Sequence, residues 1–589
     1  MLSAGGLHLT QTRNSNLGFA LAFPFSSTSL TVSGFETFGD NQFATPITFF
    51  PSVRNQEKYQ LRYDVSASRG HHAIKAGINL IHEPVLGGQF PGNSETLFRF
   101  PNDPTYYTAN PTQNAQFASD MAAGATPGNP GGSFAQNVQR LGVYAQDSWH
   151  AFRSLTLTYG LRYSTTYGLF TSSGRTQLQN PGYLTLKALN IPLVPGAPND
   201  DRKQFAPRVG FAYSPGSKGS TVFRGGFGLY FDDLAQTGWA TAFQAYSEPG
   251  GCVDPIANPS GNENIGCIAG NTSGGAAALI DPKYRTPYAI HISAGLQHSF
   301  SQSWSMSADY IHEQGNHGYR AYSYTGGRNL FTPQLSLGDP TQADYVPNVN
   351  VFHSDNRSSY NALLVHVQGN VSRRFNLIGN YTYSKAQTWG CVLGEIFDYV
   401  NGVCDPLKPF SPGDYGPSGE DVRYRFVVAG IWHAPAGLEV SELLQAEGAR
   451  PFTITTADNS GRIAINGVPT SLDQFRGTPY SQLDMRVGRP FTLHDSWTIL
   501  PFAEFFNLLN RNNSGANYVG NIGALPVPAA EAASGNVTDI CTNTACTATS
   551  PITSPDQLKM PAGALGDFFG PGTTVGIPFA AQLGVRVSF

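Results

Sequence analysis

Residues 579–589, the last of the chain, read F-A-A-Q-L-G-V-R-V-S-F. Phe579, Ala581, Leu583, Val585, Val587 and Phe589 share one parity, and Ala580, Gln582, Gly584, Arg586 and Ser588 share the other. A period of two puts the two sets on opposite faces of a strand, one apolar and one small or polar. The chain stops on an aromatic ring, where the termini of soluble domains usually fray. A strand of this length with these faces fits a crossing of an outer membrane within a closed sheet. That reading stands or falls on whether the pattern repeats.

Composition is consistent with it. In 589 residues only 13% are charged, 12% are aromatic and 65 are Gly, whereas an ordinary globular chain is about a quarter charged. No stretch approaches the apolar run of a membrane helix. A net charge of −4 leaves no basic footprint, so nucleic acid is not expected as a partner. The opening Met1-Leu2-Ser3-Ala4-Gly5-Gly6 lacks the basic, apolar and small-residue succession of a secretory leader. An exported chain needs one, so either the barrel reading fails or this chain lacks its true N-terminus.

The alternation recurs along the chain. After a first strand at 5–12, hairpins are expected at 59–68 with 72–80, 138–149 with 155–163, and 209–213 with 223–231. Four more follow at 288–298 with 304–310, 363–367 with 375–383, 422–432 with 438–446, and 483–491 with 497–509. Each hairpin turn is short, and each hairpin is separated from the next by tens of Gly-, Pro- and Asn-rich residues. Sandwiches have short connections at both ends; outer-membrane barrels have short periplasmic turns and long external loops. The expected fold is all-β, a transmembrane antiparallel β-barrel with about 16 strands present. Lipid would meet the apolar parity. Arg162, Arg208, Arg224, Asp309, Arg486 and Arg586 would face the lumen, since Arg at the lipid midplane costs about 2–4 kcal/mol. Trp149, Trp304, Tyr310 and Trp497 are placed near strand ends, at the interfacial girdles.

Six cysteines fall as neighbours, Cys252 and Cys267, Cys391 and Cys404, Cys541 and Cys546, each pair within one polar segment. Local disulfides pinning three loops are the simplest reading, in an oxidising compartment. The residues carry no catalytic constellation, no metal site and no cofactor motif. His312 and His317 flank a Glu as in a metalloprotease box, but the second His is one position late and Gly315 intervenes, so the stretch reads as a loop. His71 and His72 read as a turn. Asp232, Asp233, Glu420 and Asp421 read as solvated acids at loop ends.

Several stretches carry a resemblance: GVYAQDSW (142–149) with LTLTYGLRY (155–163), FAPRVGFAYSP (205–215) with VFRGGFGLYFD (222–232), RTPYAIHISAGLQ (285–297), SYNALLVHV (359–367), YTYSKA (381–386) and AEFFNLLN (503–510). In order and spacing they resemble the C-terminal barrel of TonB-dependent receptors of the Oar-like transporter group, from about residue 59 to the end. The resemblance implies a barrel of about 22 strands, plugged by an N-terminal domain that follows a TonB box and a signal peptide; none of these three is visible in this sequence. Residues 1–589 are thus expected to be the C-terminal part of an outer-membrane barrel. Leu583, Val585, Val587 and Phe589 resemble the C-terminal signal read by the barrel-assembly machinery. The implied function is ligand uptake across the cell outer membrane, with a siderophore, glycan or peptide as extracellular ligand. Outer-membrane lipid is the surrounding partner, and the TonB energy complex would act only through the plug. A passive 16-stranded porin and a surface adhesin are the alternatives; an enzyme is not expected.

Overall fold

The computed structural model describes residues 2–12, 53–90, 132–170, 193–216, 219–232, 277–325, 348–372, 374–391, 402–457, 461–493, 497–513, 518–561 and 578–589, with shorter pieces between 19 and 127 and between 176 and 187. Its main sheet holds 19 strands; Ala277–Ile280, Tyr415–Pro417 and Phe491–Leu493 are short marginal pieces, and the other sixteen form a wall. In chain order these are β1 (Leu2–Thr12), β2 (Val53–Arg69), β3 (His72–Phe90), β4 (Gly132–Phe152), β5 (Leu155–Tyr167), β6 (Gln204–Tyr213), β7 (Thr221–Phe231) and β8 (Tyr288–Ser299). They continue as β9 (Trp304–Thr325), β10 (Asn348–Ser372), β11 (Phe375–Trp389), β12 (Tyr424–His433), β13 (Glu439–Glu447), β14 (Tyr480–Gly488), β15 (Trp497–Phe506) and β16 (Ala580–Ser588).

Each wall strand pairs antiparallel with the next in the chain. Among the described residues β1 pairs only with β2, and β16 only with β15, so the sheet is open along a seam between β1 and β16. Short turns and long connections alternate without exception, as the sequence predicts. A two-residue turn joins Arg69 to His72, with Gly70 at φ 59° supplying the left-handed backbone that such a hairpin needs.

Register assigns the faces. Directly opposed residues share a face, and the pairs Arg162 with Ala206, Arg208 with Gly228, Arg224 with Gly295, Asp309 with Gly295, Arg486 with Glu504 and Arg586 with Leu500 all fall on the inner parity. The outer parity is an exposed apolar band that includes Leu61, Ile78, Leu161, Val209, Phe227 and Ile292. A soluble sheet would cover such a surface; a bilayer covers it for a barrel. Trp149, Trp304 and Trp497 lie on this outer face next to short turns, and Trp497 meets the terminal Phe589 at 5.4 Å between ring centroids. Asp147 and Glu442 are acids that break the outer pattern. Asp147 is partnered there by His72 Nδ1 at 2.6 Å and the Tyr159 hydroxyl at 2.9 Å, near the turn.

Four expectations need correction. Residues 312–317 are not a loop: β9 runs for 22 residues and β10 for 25, roughly 70–80 Å of strand at ~3.3 Å per residue. That far exceeds an apolar band ~25 Å tall, so both strands stand well beyond it. Alternation sends His312 to Asn361 on one face and Glu313 to His291 on the other, which no metalloprotease box could use. Tyr310 consequently sits inside β9, not near its end. Asp421 is not solvated: it is fully buried and accepts from Arg423, Arg476 and the Ala386 N–H. Finally, the connections after β13 and β15 are not plain loops. Ile454, Ile463, Val519, Ile522, Val537 and Leu558 from both close a shared core with no exposure.

Candidate functional site

The inner face of the wall and the structures above it form the candidate site. Two of the recesses on this face share Tyr230. The upper one, about 620 Å³, sits where β7 to β11 approach their external ends and is lined on the inner parity by Tyr230, Glu313, Asn356, Ser358, Tyr360 and Thr388. The lower one, about 580 Å³, lies along β2 to β8 and includes Lys75, Tyr144, Arg162, Arg208, Tyr230 and His291. A ladder of contacts joins them. The Arg208 guanidinium lies 4.2 Å over the Tyr230 ring, Tyr230 meets His291 edge-on at 4.6 Å, and His291 Nε2 reaches Glu313 at 3.3 Å.

Inner-face glycines make room for these side chains. A Cβ on Gly142 would stand 2.5 Å from the Arg162 guanidinium, and one on Gly160 would stand 2.7 Å from the Gln146 Cβ. The small residues let long cationic side chains lie along the wall. Two other wall cations have carboxylates: Arg224 binds Asp309 at 2.6 and 2.8 Å, and Arg486 lies 3.4 Å from Glu504.

The external structures are braced by buried arginines. Arg320, on the projecting part of β9, is 1% exposed and donates to Asp355 at 2.9 Å, the Pro409 carbonyl at 2.7 Å and the Tyr322 hydroxyl at 3.1 Å. Burial, then the hydrogen bond to Asp355, pushes the Tyr322 phenol far above its usual range. Arg462 donates to the Thr470 carbonyl at 2.9 Å and to Asp414 at 2.5 Å, and also reaches the Cys391 carbonyl. It thereby ties the loop unit to the segment closed by the Cys391–Cys404 disulfide. In the loop unit, Thr538 and Asp539 donate to Glu531 from two backbone N–H groups and a hydroxyl. Burial would raise the Glu531 carboxyl, but these donors outweigh it and hold it below the usual carboxylate range.

The residues singled out in the sequence divide as follows. Cys541 and Cys546 are joined by a disulfide in the loop unit; Cys252 and Cys267 lie outside the described residues. Leu583, Val585 and Val587 face outward on β16, next to Phe589 at the chain end. Of the lumen charges, Arg162 and Arg208 meet at the lower recess, Arg224 and Asp309 pair beside it, and Arg486 lies across the wall. Sequence reading missed the Tyr230–His291–Glu313 ladder, whose members carry the inner parity in three different strands; only the register brings them together.

A family model described as an outer membrane beta barrel domain matches residues 6–470. No curated protein matches the sequence. Among solved structures, the outer membrane transporter YddB from Escherichia coli aligns with a TM-score of 0.50 at 12% identity, over 87% of this chain and 57% of that one. The FrpB iron transporter from Neisseria meningitidis (F3-3 variant) aligns at 0.43 and 10% identity, over 78% and 52%. A ferric enterobactin receptor mutant from Pseudomonas aeruginosa aligns at 0.44 and 10% identity, over 87% and 54%. The chain therefore spans little more than half the length of these proteins. The first likeness supports the fold, and the other two carry no further argument.

Proposed function

The chain belongs to the outer membrane beta barrel domain family and is a protein of the cell outer membrane; on that premise we propose that it forms the wall and mouth of a TonB-dependent receptor that takes up a ligand across that membrane. The observation that carries this reading is the inner-face path, an external recess joined through Tyr230 to a second recess lower in the wall. Aromatic and amide groups at the upper recess suit a ligand with hydroxyl and ring surfaces, as in a glycan or a siderophore. The finer assignment to the Oar-like group belongs to this proposal and rests on the sequence motifs. The open seam between β1 and β16 supports reading the wall as the C-terminal portion of a larger barrel, because unpaired strand edges are not tolerated in hydrocarbon. In that reading a plug would close the lumen and transmit the pull of the TonB complex, and the outward Leu583, Val585, Val587 and Phe589 would engage the assembly machinery.

Sixteen wall strands, an even number, favour a second reading as a passive porin. One pair of measurements separates the two. Uptake of a bound ligand by cells that stops when the proton gradient is collapsed supports the receptor. Steady ion conductance of the purified protein in a planar bilayer, with uptake indifferent to the gradient, removes the receptor reading and leaves the porin.

A further inference from the structure

We infer that the lower recess is a binding site for the anionic group, carboxylate or phosphate, of a solute passing along the wall; the inference rests on reading this face as a solute path. The argument begins with charge balance. Lys75, Arg162, Arg208 and Arg62 line the recess, and no carboxylate does. Arg62 has its own acid, Asp64 at 2.6 Å. Lys75, Arg162 and Arg208 have no carboxylate partner among the described residues. Among the described residues Arg162 donates to the neutral Ser164 hydroxyl, at 2.9 Å, and Arg208 rests on the Tyr230 ring. The contrast is with Arg224 and Arg486 on the same face, each beside a carboxylate.

Three cations around one cavity repel one another, and a facing low-dielectric wall strengthens that repulsion relative to open water. An anion in the cavity reverses the sign of the interaction. Guanidinium groups supply planar paired donors that match carboxylate and phosphate oxygens. Arg162 and Arg208 stand on adjacent strands, one register step apart, since Arg162 opposes Ala206 and Gly160 opposes Arg208. The site also has a body-binding side. The Tyr144 and Tyr230 rings and the Thr158 hydroxyl line the same space, so a ligand with a ring or sugar body could stack and donate there. A volume of about 580 Å³ holds a solute of modest size, not a folded segment. Tyr230 and His291 connect the cavity to the upper recess, which gives an anion a route from the external side.

The test is equilibrium binding to the full chain purified from outer membranes in detergent. The probes are inorganic phosphate, citrate, an Asp/Glu-rich hexapeptide and, as an uncharged control, maltose. Citrate or phosphate is expected to bind, to weaken as salt is raised, and to weaken at least tenfold in the double variant Arg162→Gln with Arg208→Gln. The double variant Arg162→Lys with Arg208→Lys keeps the charges without the paired donors and should fall between the two, which separates loss of the site from loss of the fold. Phosphate and citrate affinities compared within one preparation say which oxyanion the site prefers. The inference is overturned if neither small anion binds the unaltered chain, if the Gln variant binds them equally well, or if only the peptide binds. Because binding is read on purified protein with no energy source, it stands apart from the gradient test. Anion binding with gradient-indifferent uptake would keep this site and remove the receptor reading.

Discussion

Asp421→Asn would loosen the external structures without touching the wall. Asp421 has no exposure and accepts from two guanidiniums and a backbone N–H. Arg476 also donates to the carbonyls of Asp421, at 3.1 Å, and Ala449, at 2.9 Å, so the group ties the connection before β12 to the one after β13. The amide keeps an acceptor for the Ala386 N–H and removes the negative charge. Breaking a buried ion pair from one side costs about 3–5 kcal/mol. The side chains of Arg423 and Arg476 are 29% and 27% exposed, so water compensates part of their lost partner and the lower end, about 3 kcal/mol, applies. At ~1.4 kcal/mol per decade, the locally opened state should become roughly a hundredfold more populated. Limited proteolysis of whole cells reads this directly, because cleavage in the fast-reclosing regime follows the open population. Cuts between β11 and β14 should accelerate about a hundredfold, while the wall stays resistant and heat-modifiable on a gel. An acceleration below about fivefold would refute the argument that this carboxylate holds the external elements together.

Val209→Arg places a cation on the outer face in the middle of β6, where the present side chain is 52% exposed; a cost of about 2–4 kcal/mol should lower the yield of assembled protein, whereas Gly226→Ala on the inner face, with ordinary contact distances around the added Cβ, should assemble normally. Replacing Cys391 with Ser opens a disulfide that spans 13 positions; the unfolded-chain entropy estimate gives a loss of about 3 kcal/mol, measurable as faster proteolysis of the external segment, which dithiothreitol should reproduce in the unaltered chain. Acid should loosen the loop unit through Glu531. Its folded value is held below that of a free glutamate side chain, so its contribution is complete above the free value and is lost as pH falls through the folded one. Hydrogen exchange of the Thr538 and Asp539 amides should therefore rise in that acid window, and Glu531→Gln should flatten the dependence.

The wall was legible because a barrel strand needs only local information. A residue's face follows from its parity, and lipid on one side with water on the other separates the two sets sharply, as Leu155-Thr-Leu-Thr-Tyr159 already displays. The projecting ends of β9 and β10 were not legible. Gln314, Gly315, Asn316 and Gly318 carry turn signals, yet they pair because two long neighbours offer a complete ladder with a bulge near Gly318. Nor was the loop core, since Phe452, Ile463, Val519 and Val537 lie in four separate segments whose apolar residues have no common period. The burial of Asp421 was invisible for the same reason: its two arginines come from Arg423 nearby and Arg476 far along the chain.

By itself the sequence determined the membrane-crossing parts of the strands, their order, the facing of the side chains on them and the short-turn, long-connection rhythm, all of which are properties of neighbours in the chain. Only the tertiary structure decided which inner-face residues share a cavity. Strand register sets how far Arg162, Arg208, Tyr230, His291 and Glu313 stand from one another, and register is the sum of many pairings across separate strands. It likewise decided which cations keep an acid partner and which are left facing open space, since ion pairing on a wall depends on what lies opposite.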